Sequence, residues 1–201
     1  MGAPLLNGSL YGGFVGNDLS FPPLTSAPGD AFSGNSLHVA PSLTGGISVG
    51  GSEGVQNFEF YNFTFPKDAP VDAVGLNAST VYLNDGASRA SVIQSVNIQG
   101  GSTLPIGQRF QLINAGTLNV GSFNQSTASG KQGVTLLYDY ELDTNGTILF
   151  ATVSSAPTLN EQTKALSEGY LGGLALVTQG ADLIAGQGMS EAVSAARSVA
   201  T

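Results

Sequence analysis

Between residues 134 and 153 the chain carries the pattern that most constrains its fold. Val134, Leu136, Tyr138, Tyr140 and Leu142 hold every second position, and Leu149, Ala151 and Val153 resume the alternation after Asp143-Thr144-Asn145-Gly146. Successive strand side chains point to opposite faces, so each run gathers its apolar groups on one side. Asn-Gly tolerates positive φ and closes a tight connection. The segment predicts a β-hairpin with one apolar face. A lone hairpin is marginal in water, so this face needs further strands to cover it.

Those strands are visible on the N-terminal side. Short candidates span residues 9–15, 36–40, 46–49 and 55–65. The pairs Gly12-Gly13, Gly45-Gly46 and Gly50-Gly51 recur between them and mark tight corners. The pattern suggests successive solenoid rungs of irregular length. In Phe58-Glu59-Phe60-Tyr61-Asn62-Phe63-Thr64-Phe65, two alternating Phe pairs are separated by a one-residue slip. We read the slip at Tyr61-Asn62 as a bulge or corner, with stacked aromatics filling the core. From about Pro66 the strands lengthen, the best being residues 91–98, 109–114, 133–142 and 147–154.

Composition agrees with such a fold and limits function. Hydrophobic residues make up 41% of the 201 positions and charged residues only 10%, with 28 glycines. Low charge with many small polar residues suits a β-solenoid whose backbone is well paired. Six Lys and Arg against a net charge of -8 leave no basic cluster for nucleic acid or for a basic membrane-surface helix. The absence of Cys excludes disulfides and thiolate metal sites. Met1, Gly2 and Ala3 do not begin a signal peptide, so export would imply a longer protein. No run of about 20 apolar residues predicts a lipid-exposed membrane helix.

After Pro157 the pattern becomes helical. Thr158-Leu159-Asn160-Glu161 reads as a capping box, with Thr158 at the N-cap and Glu161 at N3. A helix is expected over residues 159–185, with Gly186 as its C-cap, and a second over 190–199 starting at Ser190. Interior Gly169, Gly172, Gly173 and Gly180 each weaken it by about 1 kcal/mol against Ala, which points to something that approaches closely. Gly169-x-x-x-Gly173 matches a small-residue packing motif.

Motifs that could carry chemistry lack their partners. Gly50-Gly51-Ser52-Glu53-Gly54 matches the nucleophile-elbow pattern, but Ser52 would need a base and an acid behind it. The single histidine, His38, lies upstream. Ser33-Gly34-Asn35-Ser36-Leu37 resembles a lipase nucleophile block without its Asp or its C-terminal His. The carboxylates Asp30, Glu53, Glu59, Asp68, Asp72 and Asp85 are dispersed rather than gathered along a groove for glycan cleavage. Asp68 and Asp72 could share a face, but they flank Pro66 and Pro70. No metal-ligand spacing occurs. The sequence assigns no catalytic, cofactor-binding or metal-ligating residue, and the chain reads as a non-enzyme.

The order of glycine-rich rungs, β-stranded cap and glycine-thinned helix resembles the C-terminal end of bacterial autotransporter passengers, the type V secretion family. Gly107-Gln108-Arg109-Phe110-Gln111-Leu112-Ile113 is similar to the strand that opens the family's final stem module. Leu136-Leu137-Tyr138-Asp139-Tyr140-Glu141-Leu142 followed by Gly146-Thr147-Ile148-Leu149 is similar to its closing hairpin. Gln162-Thr163-Lys164-Ala165-Leu166-Ser167-Glu168 and Val177-Thr178-Gln179-Gly180-Ala181-Asp182-Leu183 resemble the linker entering its translocation barrel. The resemblance implies a mainly β fold: a right-handed parallel β-helix ending in a β-stranded stem, then a C-terminal α-helix. It implies terminal β-helix rungs over residues 1–65, an autochaperone-like stem over 66–156 and a linker over 157–201. The expected partner is the protein's own outer-membrane β-barrel, beyond Thr201, and the expected place is the surface of a Gram-negative bacterium. The paired Asn cleavage site of one self-cleaving subgroup is missing. The resemblance implies a non-catalytic stem that seeds folding outside the cell. The alternative is an adhesin or self-association surface on an exposed solenoid face, meeting a host surface or a like chain.

Overall fold

The computed structural model describes residues 5–12, 30–41, 45–86 and 88–199. It divides into two compact units, Met1–Thr158 and Leu159–Thr201. The first is mainly β and the second helical.

In the β unit, β1 (Leu5–Leu6), β4 (Ile47–Val49), β7 (Ala73–Tyr82) and β9 (Arg109–Asn119) form one parallel stack. A second stack contains β3 (Ser36–Val39), β6 (Phe60–Phe65), β8 (Val92–Ile98) and β10 (Thr127–Gln132), again parallel. Short strands β2 (Leu10–Tyr11) and β5 (Val55–Gln56) pair in parallel, and β5 also pairs with β7. The antiparallel hairpin of β11 (Leu136–Thr144) and β12 (Ile148–Val153) joins the stacks, because β12 pairs with β9 and β11 with β10. The result is one mixed, curled sheet.

Register places like on like. Ile47, Leu76 and Ile113 stand in one column, and Ser48, Asn77 and Asn114 in the next. Leu37, Tyr61 and Ile93 form a column in the other stack, as do Val39, Phe63 and Val96. Parallel pairing with both apolar and polar columns aligned lets each strand bury its inner face against its neighbours. The outer columns bond sideways: Asn114 Nδ2 donates to Asn77 Oδ1 at 3.1 Å, and Asn62 Nδ2 to Gln94 Oε1 at 2.9 Å.

The inner faces of the two stacks meet directly. The Phe65 and Phe110 rings lie 4.8 Å apart. A Cβ on Gly75 would stand 2.9 Å from the Phe63 ring and 2.8 Å from the Leu112 carbonyl. β7 therefore passes close to the core only because position 75 has no side chain.

Several expected elements differ. Strand β7 was not expected, and its inward positions do not alternate strictly: Ala73, Leu76 and Val81 are buried. It serves two partners in succession, β4 and then β5, so no single period describes it. Strand β10 was not expected either, because its fully buried positions are Gly130 and Gln132. In β6 the inward residues are Tyr61, Phe63 and Phe65, whereas Phe60 is half-buried. The slip in facing thus falls at Glu59-Phe60, just after Asn57 with φ of 62°. A register shift does occur at Tyr61/Asn62, where Gln94 of β8 is the unmatched residue. Of the candidate over residues 9–15, Leu10–Tyr11 is a strand and residues 13–15, with Gly13, lie outside the described residues.

In the second unit α1 spans Glu161–Leu183, a π-helical turn spans Ile184–Gly188, and α2 spans Met189–Val199. Thr158 is extended and the helix starts at Glu161, so Asn160 occupies the N-cap position and its carbonyl accepts Thr163 N–H at 3.0 Å. Asn caps a helix at least as well as Thr. Gly186 does not end the helix. The wider π turn carries the chain through it. No helix among the described residues is long and apolar enough to cross a membrane.

Candidate functional site: the closing hairpin

The expected hairpin is present and its turn explains itself chemically. Gly146 has φ of 93°. Asn145 Oδ1 accepts Ile148 N–H at 3.1 Å, and Asn145 N–H donates to the Ile148 carbonyl at 3.2 Å. Side-chain amide and positive-φ glycine together close the turn. Tyr138, Tyr140 and Leu142 face inward, as do Leu149, Ala151 and Val153. Val134 lies before β11 and is 74% exposed. Its alternation with Leu136 does not continue into the core, because Gly133 turns the chain with φ of 58°.

Tyr138 is the polar hub. Its hydroxyl accepts Leu104 N–H at 2.9 Å and donates to Gln132 Oε1 at 3.0 Å. Gln132 Nε2 donates onward to the carbonyls of Gly100 and Ser102 at 3.0 and 2.7 Å. One buried phenol thus ties β11, β10 and the segment leading to β9. Buried polar groups that are fully paired stabilise one arrangement over its competitors. The Tyr140 hydroxyl is buried with no hydrogen-bond partner among the described residues, and burial pushes its acidity well below that of an ordinary phenol. Both Tyr138 and Tyr140 place their rings in an aromatic seam.

That seam crosses both stacks. Phe65 packs on Phe110, Phe110 meets Tyr140 edge-on at 6.4 Å, and Tyr140 lies 6.4 Å from Tyr138. Phe58, Tyr61 and Phe63 form a second group, with Tyr61 and Phe63 stacked at 11°. Such pairs contribute about 0.5–1.5 kcal/mol each beyond the burial of their area. The inner residues of 58–65 and of the hairpin, both singled out in the sequence, belong to one core.

Beside the hairpin the β8–β10 ladder opens. Only Gln132 pairs with Ile98, and the Gln125 side chain takes the place of a strand. Its amide donates to the Ile93 carbonyl at 2.9 Å and accepts Ile93 N–H at 2.8 Å. A surface groove of about 540 Å³ lies there, lined among others by Gln94, Gln125, Ser129, Asp139 and Ser154.

Several of the residues weighed for chemistry are engaged in turns and hydrogen bonds. Ser52 is exposed in the turn between β4 and β5, and its carbonyl accepts Ser79 Oγ at 3.4 Å. His38 is exposed on β3, paired in register with Asn62. No hydrogen bond joins Ser52 to His38. Ser33-Gly34 forms a turn into β3, with Gly34 at φ of 79° and its N–H donating to Glu59 Oε2 at 2.6 Å. Glu53 accepts the Tyr11 hydroxyl at 2.9 Å, which holds that phenol protonated to higher pH than usual. Asp68 accepts Ser102 N–H at 3.3 Å. Among the described residues no group of three or more His, Asp or Glu is placed to hold a metal ion.

Two arginines collect the remaining carboxylates. Arg89 binds Asp30 at 2.7 Å and Asp85 at 2.6 Å, and its guanidinium lies 5.1 Å from the Phe32 ring centroid. Arg109 forks onto both oxygens of Asp72 at 2.6 and 3.0 Å and lies 4.5 Å from the Phe150 ring centroid. Their hydrogen bonds hold the Asp30 and Asp72 carboxyls below the ordinary carboxylate range. These pairs were not foreseen, since each Arg is remote in sequence from its Asp30 or Asp72 partner.

The chain matches no protein-family model, no curated protein and no solved structure.

Proposed function

We propose that this chain is the membrane-proximal stem of a bacterial autotransporter passenger. In this reading the β unit is the end of a right-handed parallel β-helix with an autochaperone-type closing module. The helical unit links it to the protein's own β-barrel in the outer membrane of a Gram-negative cell. The stem performs no catalysis. It folds first outside the cell and templates the rungs that follow, each of which buries apolar surface only against its neighbour and so needs a seed.

The observation that carries this reading is the double pairing of the hairpin. β11 and β12 cap the last strand of each parallel stack at once. One locally folding element thereby presents two strand edges in fixed relation, which is what a template for parallel rungs requires. Hairpins form early because their contacts are local, whereas parallel pairing waits on long loop closure. The helical unit adds a second support. Tyr170, Leu176 and Val177 are 72%, 71% and 70% exposed, an apolar surface fitted to an enclosing partner. α1 alone is about 35 Å long at 1.5 Å per residue, enough to line a barrel crossing a hydrocarbon core of about 30 Å.

The test is surface display of the full-length protein carrying Tyr138→Ala. The expected result is loss of displayed passenger with barrel assembly unchanged. Wild-type display of this variant would remove the seeding role from the hairpin.

A further inference from the structure

We propose that Arg109 is a positioning residue that passes register from the closing hairpin to the first parallel strand, β7. The proposal rests on the seeding role of the hairpin. Three elements meet on this side chain. Its guanidinium stacks on Phe150 of β12, its own backbone opens β9, and its fork holds Asp72, the residue immediately before β7. The backbone repeats the connection, because Asp72 N–H donates to the Arg109 carbonyl at 2.7 Å. Asp72 has φ of 60°, a left-handed conformation that Asp adopts more readily than most L-residues. The next residue, Ala73, starts the ladder opposite Phe110.

A parallel pair needs such a device. A tight turn fixes the register of a hairpin, but β7 and β9 are joined by a long crossover that fixes nothing. A one-residue slip would turn Leu76 and Val81 out of the core. The bidentate fork on Asp72 accepts one alignment, and the stack on Phe150 holds the fork in place from the hairpin side. Arg89 makes a comparable arrangement with Asp30 and Phe32, and its other side-chain partners, Asp85 and Ser33, also lie outside the hairpin. If order spreads from the hairpin, the Arg109 contacts form before the rate-limiting step and the Arg89 contacts after it.

The experiment measures refolding and unfolding rates of the 201-residue chain in urea for Arg109→Gln, Arg109→Glu and Arg89→Gln, with Tyr138→Ala as reference. Arg109→Glu is expected to slow refolding about tenfold and Arg109→Gln by less, whereas Arg89→Gln accelerates unfolding and leaves refolding within about twofold. Arg109→Lys keeps the charge but not the fork or the stack, and should restore only part of the rate. Refolding of Arg109→Glu at the wild-type rate would overturn the proposal. If Tyr138→Ala slows refolding in that case, the hairpin seed stands and the Arg109 role alone falls. If neither variant slows refolding, the seed falls as well.

Discussion

Gly130 on β10 and Gly172 on α1 are the same residue in opposite surroundings. A Cβ at Gly130 would collide with the Val96 carbonyl on the neighbouring strand, whereas one at Gly172 would meet nothing within 4 Å. The large side chains divide in the same way. Tyr138, Tyr140, Phe63 and Phe110 are fully buried, while Tyr170, Leu171 and Leu174 are mostly exposed. In the β unit glycines admit neighbouring strands and aromatics fill the space between them. In the helical unit Tyr170, Leu171 and Leu174 are exposed, and the space around Gly172 is open. That difference separates residues that fill a core from residues that face solvent.

The comparison breaks most readily at Tyr138. Replacement by Ala removes a buried ring and leaves Leu104 N–H and Gln132 without their partner. We expect a loss of about 3–5 kcal/mol, read by equilibrium urea unfolding. A loss below about 1 kcal/mol would mean that the seam repacks and that the hairpin is not the core of the unit.

Glycine substitutions sharpen the comparison with opposite signs. Gly130→Ala presses a methyl group on the Val96 backbone of β8 and should destabilise the β unit by about 1–3 kcal/mol. Gly172→Ala should raise helical circular dichroism and stabilise α1 by up to about 1 kcal/mol, since an interior Gly is a poor helix former. Gly172→Trp should leave the β unit of the isolated chain unchanged, because position 172 belongs to the other compact unit. In the full-length protein the same bulk should impede display if the helix occupies a narrow lumen. Undiminished display of Gly172→Trp would leave the glycines as mere helix weakeners.

The parts legible in the sequence are those where one local rule acts alone. Tyr138, Tyr140 and Leu142 alternate on a strand with one buried face, and Asn145-Gly146 closes the only connection it could. The aromatic run at 58–65 was legible as core, but its facing was not: the positive φ at Asn57 and the turn after it set which residues point inward. β7 escaped because remote strands decide it, and β10 because its inner face is not apolar. A strand whose inner positions are Gly130 and Gln132 has no apolar signature, although its partner β11 follows it directly in the chain. The chemical candidates followed the same division. The sequence offered Ser52 and His38 no catalytic partner, and the pairs Arg109–Asp72 and Arg89–Asp30 are brought together by the fold with no short motif to announce them.

Acid tests the smallest difference between the regions. Asp30 accepts hydrogen bonds from Arg89 and from the N–H groups of Phe32 and Ser33, and the Arg89 bond is the main reason its carboxyl ionises below the ordinary range. A carboxyl with a depressed folded-state pKa adds stability that is fully present above the unfolded value, about 3.9, and fades as pH falls toward the folded value. Arg89 stays charged throughout, so protonation of Asp30 alone breaks the pair. The pair is exposed, and solvent screening keeps the effect small. Between about pH 4 and 2, stability of the wild-type β unit should therefore fall more steeply than that of Asp30→Asn, followed by near-UV tyrosine dichroism in urea. Added salt should narrow the gap. Parallel pH curves for the two proteins would show that Asp30 ionises in the folded chain as it does in the unfolded one, and that Arg89 holds the Ser33 turn by stacking on Phe32 rather than by charge.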